Sequence, residues 1–428
     1  MGFFSRLVGA FRKATTTDRD GWFVEWAGGG KTSSGVIVTP DSAMRTAAVW
    51  ACVRVRSEDI GKLPVILYQR QADGGKKRAA DHPMYRLIHD QPNPRMTAFE
   101  FRQMGQAQTD LRGNAYAWKE TDGRGQIVAL WPLDPAKVQV FKSRDGKELF
   151  YRVELMDGRQ VMLPAEEIMH RRGMTLDGCV GLSPVAHHRE TIGKLIAADK
   201  YGAAFFGNNA QPMGALKMAP VLSDEARAAL RTSWKERHLG KRELAILDGG
   251  MEWMPTGMTN EDAQYVDVIN ASNSDIWRIY RVPPHKVGDL SKATFSNIEQ
   301  QSLEYVTDCL MSEMVSWEQT FNRDLLTDEE KAAGYYFEFL PDALLRGDLK
   351  SRYDAYAIAR NWGVLSVNDI RDRENMNHVE NGDIYLQPLN MIEAGKEPPP
   401  PAPPSPAAAK LLIAYAQQVL RSQELTDA

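Results

Sequence analysis

Arg281-Val282-Pro283-Pro284-His285-Lys286-Val287-Gly288-Asp289, followed by Ala293-Thr294-Phe295-Ser296-Asn297-Ile298-Glu299-Gln300-Gln301, is the stretch on which the reading of this chain turns. Two successive prolines supply no amide hydrogen and stop any helix that reaches them. Upstream, Thr259 and Asp262 form a capping box, and Tyr265, Val268, Ile269, Ile276, Ile279 and Tyr280 fall on one side of a helix. The polar run Asn270–Asp275 either kinks that helix or starts a new one. Downstream, Ser296 and Glu299 box a second helix with the stripe Leu303, Val306, Leu310, Trp317 and Phe321. Two amphipathic helices joined by a short polar loop make a hairpin. Its tip carries Pro284, His285, Lys286, Asp289 and Lys292, residues placed to meet a partner.

Working outward, residues 41–62 read as a helix and 64–70 as a strand. Thr97 and Glu100 box a helix that runs to about 111. Between 114 and 170 the pattern changes to short runs rich in aromatic and β-branched residues, including Ala115–Trp118, Ile127–Trp131, Val138–Val140, Leu149–Val153 and Gln160–Leu163. Gly/Asp turns separate them, which predicts antiparallel sheet. Ser183-Pro184 opens a long helix, with Ser as N-cap and Pro at the first helical position. Another helix spans about 223–238. A hairpin is expected from Leu244–Leu247 and Met251–Met254 around Asp248-Gly249-Gly250. Tyr335–Phe339 reads as a strand, 347–362 as a helix ending at Gly363, and Ser366 with Asp369 boxes one more. Residues 396–406 are Pro-rich and form an extended linker, with a last helix beyond it on Leu411, Leu412, Ala414, Tyr415 and Val419. The fold class is therefore α+β: a mixed body of antiparallel strands and long helices, a helical hairpin, and a helical C-terminal part.

The chain has 428 residues, 25% of them charged, and a formal net charge of -4. That balance excludes a protein that clings to DNA through its phosphates. Cys52, Cys179 and Cys309 are isolated, odd in number and without CxxC spacing, so neither a disulfide framework nor a zinc site is expected. The N-terminal Phe3-Phe4-Ser5-Arg6-Leu7-Val8-Gly9-Ala10-Phe11-Arg12-Lys13 is apolar and basic. Arg6 interrupts what a secretory signal needs and stands where a myristoylation motif wants Ser or Thr. A membrane-surface helix is one reading, and an amphipathic arm packed on the body or on a neighbour is the preferred one. No apolar run is long enough to span a bilayer.

Gly28-Gly29-Gly30-Lys31-Thr32 ends like a phosphate-binding loop, but Glu25 stands where the motif needs its first Gly, and turn and strand follow instead of a helix. No nucleotide cofactor is expected. His187-His188 are adjacent and cannot form an i, i+4 metal pair. His170 follows Glu166-Glu167 and precedes Arg171-Arg172. An acid–base pair is conceivable there, but no nucleophile or pocket is fixed, so the cluster is read as solvated surface charge. Catalytic residues, metals and cofactors are accordingly expected to be none. Met311-Ser312-Glu313-Met314 is read as an interruption of the second hairpin helix. On helix spacing Met311 and Met314 fit the core as well as a surface.

Three segments carry a resemblance to the portal proteins of long-tailed phages. They are Gly181-Leu182-Ser183-Pro184 with Ala203–Asn208, Leu247-Asp248-Gly249-Gly250 with Glu261–Gln264, and the opening stretch 281–301, which is the most specific. Ser366–Arg371 and Glu374-Asn375-Met376 resemble the family's C-terminal region, so the likeness covers about 40–390. The resemblance implies a ring, commonly of twelve subunits, at one capsid vertex in the virion, assembled in the host cytoplasm. Double-stranded DNA would pass through it during packaging and ejection without sequence-specific binding. It implies an N-terminal arm (1–40), a wing (41–259), a stem and clip (260–325) with a tunnel loop near 308–316, a return strand (326–347), a crown (348–392) and a tail (393–428). Pro284, His285, Lys286, Asp289 and Lys292 would face partners, and Met311, Ser312, Glu313 and Met314 the channel, where uncharged Met side chains would touch a moving duplex without fixing its register. The expected partners are the terminase motor, the major capsid protein and a head-completion protein, with no membrane. A head–tail adaptor is the alternative structural reading. A nuclease or ATPase would need a carboxylate cluster or an intact phosphate loop, and neither is visible.

Overall fold

A computed structural model describes residues 30–386 except 73, 208–213, 218–222, 239–250, 256–260, 292–294, 342–348 and 375, together with 410, 413 and 415. The chain divides into two units, Met1–Leu345 and Arg346–Ala428.

The first unit is built on two antiparallel helices and several small antiparallel sheets. The helix Ala47–Lys62 buries Val49, Cys52, Val53, Arg56 and Ile60. Its neighbour Ala98–Arg112 opens with the Thr97/Glu100 capping box and closes on left-handed Gly113. β1 (Gly30–Lys31) and β2 (Ile37–Val38) form a short antiparallel pair, and the strand β3 (Val65–Arg70) pairs with β4 (Lys76–Arg78) on one side and with β13 (Tyr335–Phe339) on the other. Residues more than 260 positions apart in sequence thus close one sheet. Phe337 and Phe339 from that return strand enter the main core beside Trp317 and Phe321.

Between 114 and 172 the expected antiparallel strands form two three-stranded sheets. One has the order β10 (Ile168–Arg172), β5 (Asn114–Thr121), β6 (Ile127–Leu133); the other β7 (Val138–Lys142), β8 (Leu149–Glu154), β9 (Gln160–Pro164). Tyr116, Val138, Tyr151, Val153, Leu163 and Ile168 form a second core between them. β10 corrects the reading of 170–172 as solvated charge. His170 and Arg171 are buried, because their strand pairs with β5 and packs under the hairpin helix.

Three further readings change. The helix from Ser183 is broken. Ser183 caps Pro184–His187 through the Ala186 amide, and the long helix restarts as Arg189–Gly207 after non-helical His188. The strand β12 (Glu252–Pro255) pairs with β11 (Gly214–Lys217), which the sequence reading missed. The expected partner Leu244–Leu247 lies outside the described residues. The helix before the prolines runs through Asn270–Asp275 without a break, as Glu261–Tyr280. Its cap at Thr259 lies outside the described residues, as do the Pro-rich linker and most of the last helix.

In the second unit, Leu349–Asn361 ends at Gly363, whose φ of 69° is left-handed. Ser366 and Asp369 form the expected capping box of Val367–Arg373. Among the described residues, no helix is long and apolar enough to cross a membrane.

Candidate functional site

The segment between the two helices, expected as a hairpin tip, is a braced turn that packs on the helix 47–62. Pro283 is followed by a single 3-10 turn, Pro284–Val287, closed by left-handed Gly288. The Val282 amide donates back to the Trp277 carbonyl at 2.9 Å, and the Asp289 amide to the Pro284 carbonyl at 3.0 Å. His285 is held on both ring nitrogens, 3.0 Å from Gln301 Oε1 and 3.1 Å from Ser302 Oγ. It therefore ties the tip to the second helix. Lys286 lies over the Tyr305 ring at 5.3 Å, a cation–π contact. Pro284 and Lys286 are exposed, His285 and Asp289 half-buried, and Lys292 lies outside the described residues.

The second hairpin helix starts as Phe295–Glu304 and continues as Met311–Leu325. Between them, Tyr305–Leu310 winds as a π-helix, so the interruption expected at 311–314 lies one turn earlier. Wide turns of this kind accommodate an extra residue within an otherwise regular helix. Here the widened segment still turns Tyr305, Val306, Cys309 and Leu310 into the core.

That phase decides where the four candidate channel residues go. Met311 and Ser312 are exposed, whereas Met314 is only 1% exposed and belongs to the main core. Glu313 points inward. It accepts from Arg56 Nη2 at 2.6 Å and from Arg171 Nη2. Met314 and Glu313 are therefore corrected from channel surface to interior: both fall in step with Leu310, Trp317 and Phe321 on the buried stripe.

Glu313 closes a network missed in the sequence reading. Arg56 grips Asp110 with Nε, at 3.2 and 3.1 Å from the two carboxylate oxygens, and with Nη2 at 3.0 Å. Its Nη1 donates to the Tyr280 carbonyl at 3.0 Å and contacts Cys309 Sγ at 2.9 Å. Gln106 donates to Asp110 at 3.0 Å and accepts from the Trp317 indole at 3.0 Å. Arg171 lies over Trp317, 5.0 Å from the ring centroid. Two guanidinium groups thus face two carboxylates in the interior. One network joins the helices 47–62, 98–112, 261–280 and 311–325 to strand β10. Burial disfavours the charged Glu313 carboxylate, but Arg171 and Arg56 outweigh it and hold its pKa down at about 2. Burial instead pushes Asp110 upward, against the pull of Arg56. The signal was present in the sequence: Arg56 lies in step with Cys52, Val53 and Ile60, a charge inside an apolar stripe.

His170 is likewise structural. Asn114 Oδ1 accepts from the Gly181 amide at 2.8 Å, so it also accepts from His170 Nε2 at 2.9 Å. His170 Nδ1 then accepts from the Tyr151 hydroxyl at 3.1 Å. Burial, with Arg172 and Arg323 nearby, holds its pKa well below the usual histidine value. All donors and acceptors of the ring are used, which leaves none to exchange a proton with a substrate. Lys31 lies on a strand paired with Ile37, and the turn at 32–36 leads to strand, not helix. Among the described residues no cluster of three metal-ligating side chains occurs.

Comparison with known proteins gives a consistent picture. The family model "Phage portal protein" matches residues 47–375. The portal protein of Enterobacteria phage HK97 is 31% identical over 372 residues, covering 84% of this chain and 87% of that protein. A crystal structure of an HK97-family phage portal protein from Corynebacterium diphtheriae shares the fold, with TM-score 0.55 and 16% identity, covering 73% of this chain and 99% of that one. A chain of the neck of a native gene transfer agent particle, computed with C12 symmetry, shares it with TM-score 0.53 and 18% identity, over 88% of this chain and 100% of that one.

Proposed function

The chain belongs to the phage portal protein family, and from that premise we propose that twelve copies close into a ring at one capsid vertex. The role of channel for DNA entering and leaving the capsid follows from the family. The observation that carries the proposal is the extent of the match: residues 47–375 take in the sheet body, the whole hairpin and the Ser366-capped helix together. The twelvefold count is supported by the symmetry of the gene transfer agent neck, whose chain has the same fold. A rotationally closed ring needs two different contact surfaces per subunit.

Within this reading, 41–259 serves as wing, 260–325 as stem and clip, 326–347 as the return to the wing, and 348–392 as crown. The exposed tip residues Pro284 and Lys286 meet the terminase motor and later the head-completion protein, and the capsid protein surrounds the ring. Met311 and Ser312 are the candidates left for the channel wall. Neither carries charge, and the chain's net charge of -4 opposes tight phosphate binding, which suits a duplex that must slide. The protein is a conduit, and phosphoryl-transfer chemistry is left to a separate motor. Native mass spectrometry of the purified full chain tests this. The expected species is about 0.58 MDa, twelve chains of 48.0 kDa. A single 48.0 kDa species at high protein concentration contradicts it.

A further inference from the structure

A groove of about 1480 Å³ opens in the body between the turns of the two small sheets and the segment after the hairpin. Small-molecule pockets hold roughly 300–1,000 Å³. This one is larger, open and without convergent catalytic groups, a shape for a stretch of polypeptide. Its floor is apolar, with Ile127, Leu149, Phe150, Pro164 and Leu326. One end is acidic. The short helices Ala165–Glu167 and Asp328–Ala332 bring five carboxylates to it. Asp328 is paired with Lys331 at 3.1 Å and Glu330 with His82 at 2.9 Å. Glu167 and Glu329 form no salt bridge among the described residues, and Glu166 has only the longer-range pull of buried Lys119. Of the groove's exposed cations, Arg323 and Lys331 are paired with Asp324 and Asp328, and Arg124 and Lys147 sit on the hairpin turns.

The N-terminal segment has the complementary chemistry. At helical spacing, Phe3, Phe4, Leu7, Val8 and Phe11 share one face, and Arg6, Arg12 and Lys13 the other. No acidic residue occurs before Asp18. Seventeen peptide steps join Lys13 to Gly30, the first described residue. Extended, they span up to about 56 Å, against a body radius of gyration of roughly 20 Å. We propose that residues 3–13 of this chain occupy the groove, with the apolar face on its floor and the three cations against Glu166, Glu167 and Glu329. The inference does not depend on the ring's subunit number or on its DNA role.

The test uses the full chain with Phe4 replaced by the photo-crosslinking amino acid benzoylphenylalanine. Irradiation followed by peptide mass mapping is expected to join position 4 to residues around Ile127, Leu149 and Leu326. Glu166→Lys, Glu167→Lys and Glu329→Lys together change only exposed or half-buried side chains. This triple variant should lower the yield of that crosslink at least fivefold. Adding Arg6→Glu, Arg12→Glu and Lys13→Glu should restore it. Crosslinks elsewhere on the protein, a yield insensitive to both charge reversals, or co-sedimentation of the arm with anionic phosphatidylserine vesicles in place of groove crosslinks would overturn the proposal.

Discussion

Arg56 Nη2 donates to Glu313 Oε1 at 2.6 Å, joining residues 257 positions apart and fixing the rotation of the second hairpin helix against the body. The partners of that one contact, Asp110 and Arg171, balance its charges. The helix that carries the exposed pair Met311 and Ser312 is therefore oriented from inside. The network is a positioning device, and its removal should be felt in stability before it is felt in any surface property.

Arg56→Met strands Asp110 without its fork and leaves Glu313 with Arg171 as its one cation and a long contact from Gln106 at 3.4 Å. Breaking one side of a buried pair costs about 3–5 kcal/mol. Urea denaturation should show a loss of that size. Arg56→Met combined with Asp110→Leu should cost less than the two single changes added together, since neither charge is then left unpaired. Strict additivity would remove the network from the account.

Acid should unfold the protein in two stages. His170 is buried neutral, its folded pKa below the unfolded value. The stability tied to it is complete above pH 6.5 and is lost as pH falls below that. Glu313 is also depressed, so its contribution is complete above the ordinary 4.5 and is lost as pH falls from there through about 2. His170→Gln should flatten the stability profile between pH 6.5 and about pH 5 while leaving the lower stage in place. Equal slopes for both proteins in that window would contradict the assignment.

Gly181 meets Gly113 with no room for a side chain. A Cβ on Gly181 would stand 2.0 Å from the Gly113 carbonyl oxygen, and Gly113 itself has a φ of 77°. Gly181→Ala should therefore destabilise by well over ~1 kcal/mol. The same change at Gly123, which has open space around it, should be close to neutral. Paired thermal melts of the two variants make the comparison.

ATP titrated into the purified chain should give no binding heat, and Lys31→Ala should change neither the titration nor the melting temperature by a measurable amount. Lys31 is a strand residue at the mouth of a turn, not the end of a phosphate loop opening a helix. Saturable heat lost in Lys31→Ala would restore nucleotide binding.

Much of the fold was legible because local rules and tertiary structure agree. The capping boxes at Thr97 and Ser366 and the proline stop at 283–284 rest on interactions within a few residues. What was not legible depends on distant partners. The pairing of Gly214–Lys217 with Glu252–Pro255 spans a long separation, and a four-residue strand has little signal of its own. His170 and Arg171 look like surface charge until Asn114, Tyr151 and Glu313 are seen to receive them. At the hairpin, spacing alone left Met311 and Met314 undecided. The π-helix just before them sets the phase, exposing Met311 and burying Met314. A one-residue widening of that kind has no sequence signature strong enough to read in advance.

The most direct measurement is a single-particle reconstruction of the assembled protein with duplex DNA present. A closed ring of twelve copies with an axial hole is expected. DNA should lie on the axis without contact to base edges, Met311 and Ser312 should face it, and Pro284 and Lys286 should stay exposed at one end. Discrete monomers or dimers, or an assembly whose DNA binds outside a central hole, would contradict it.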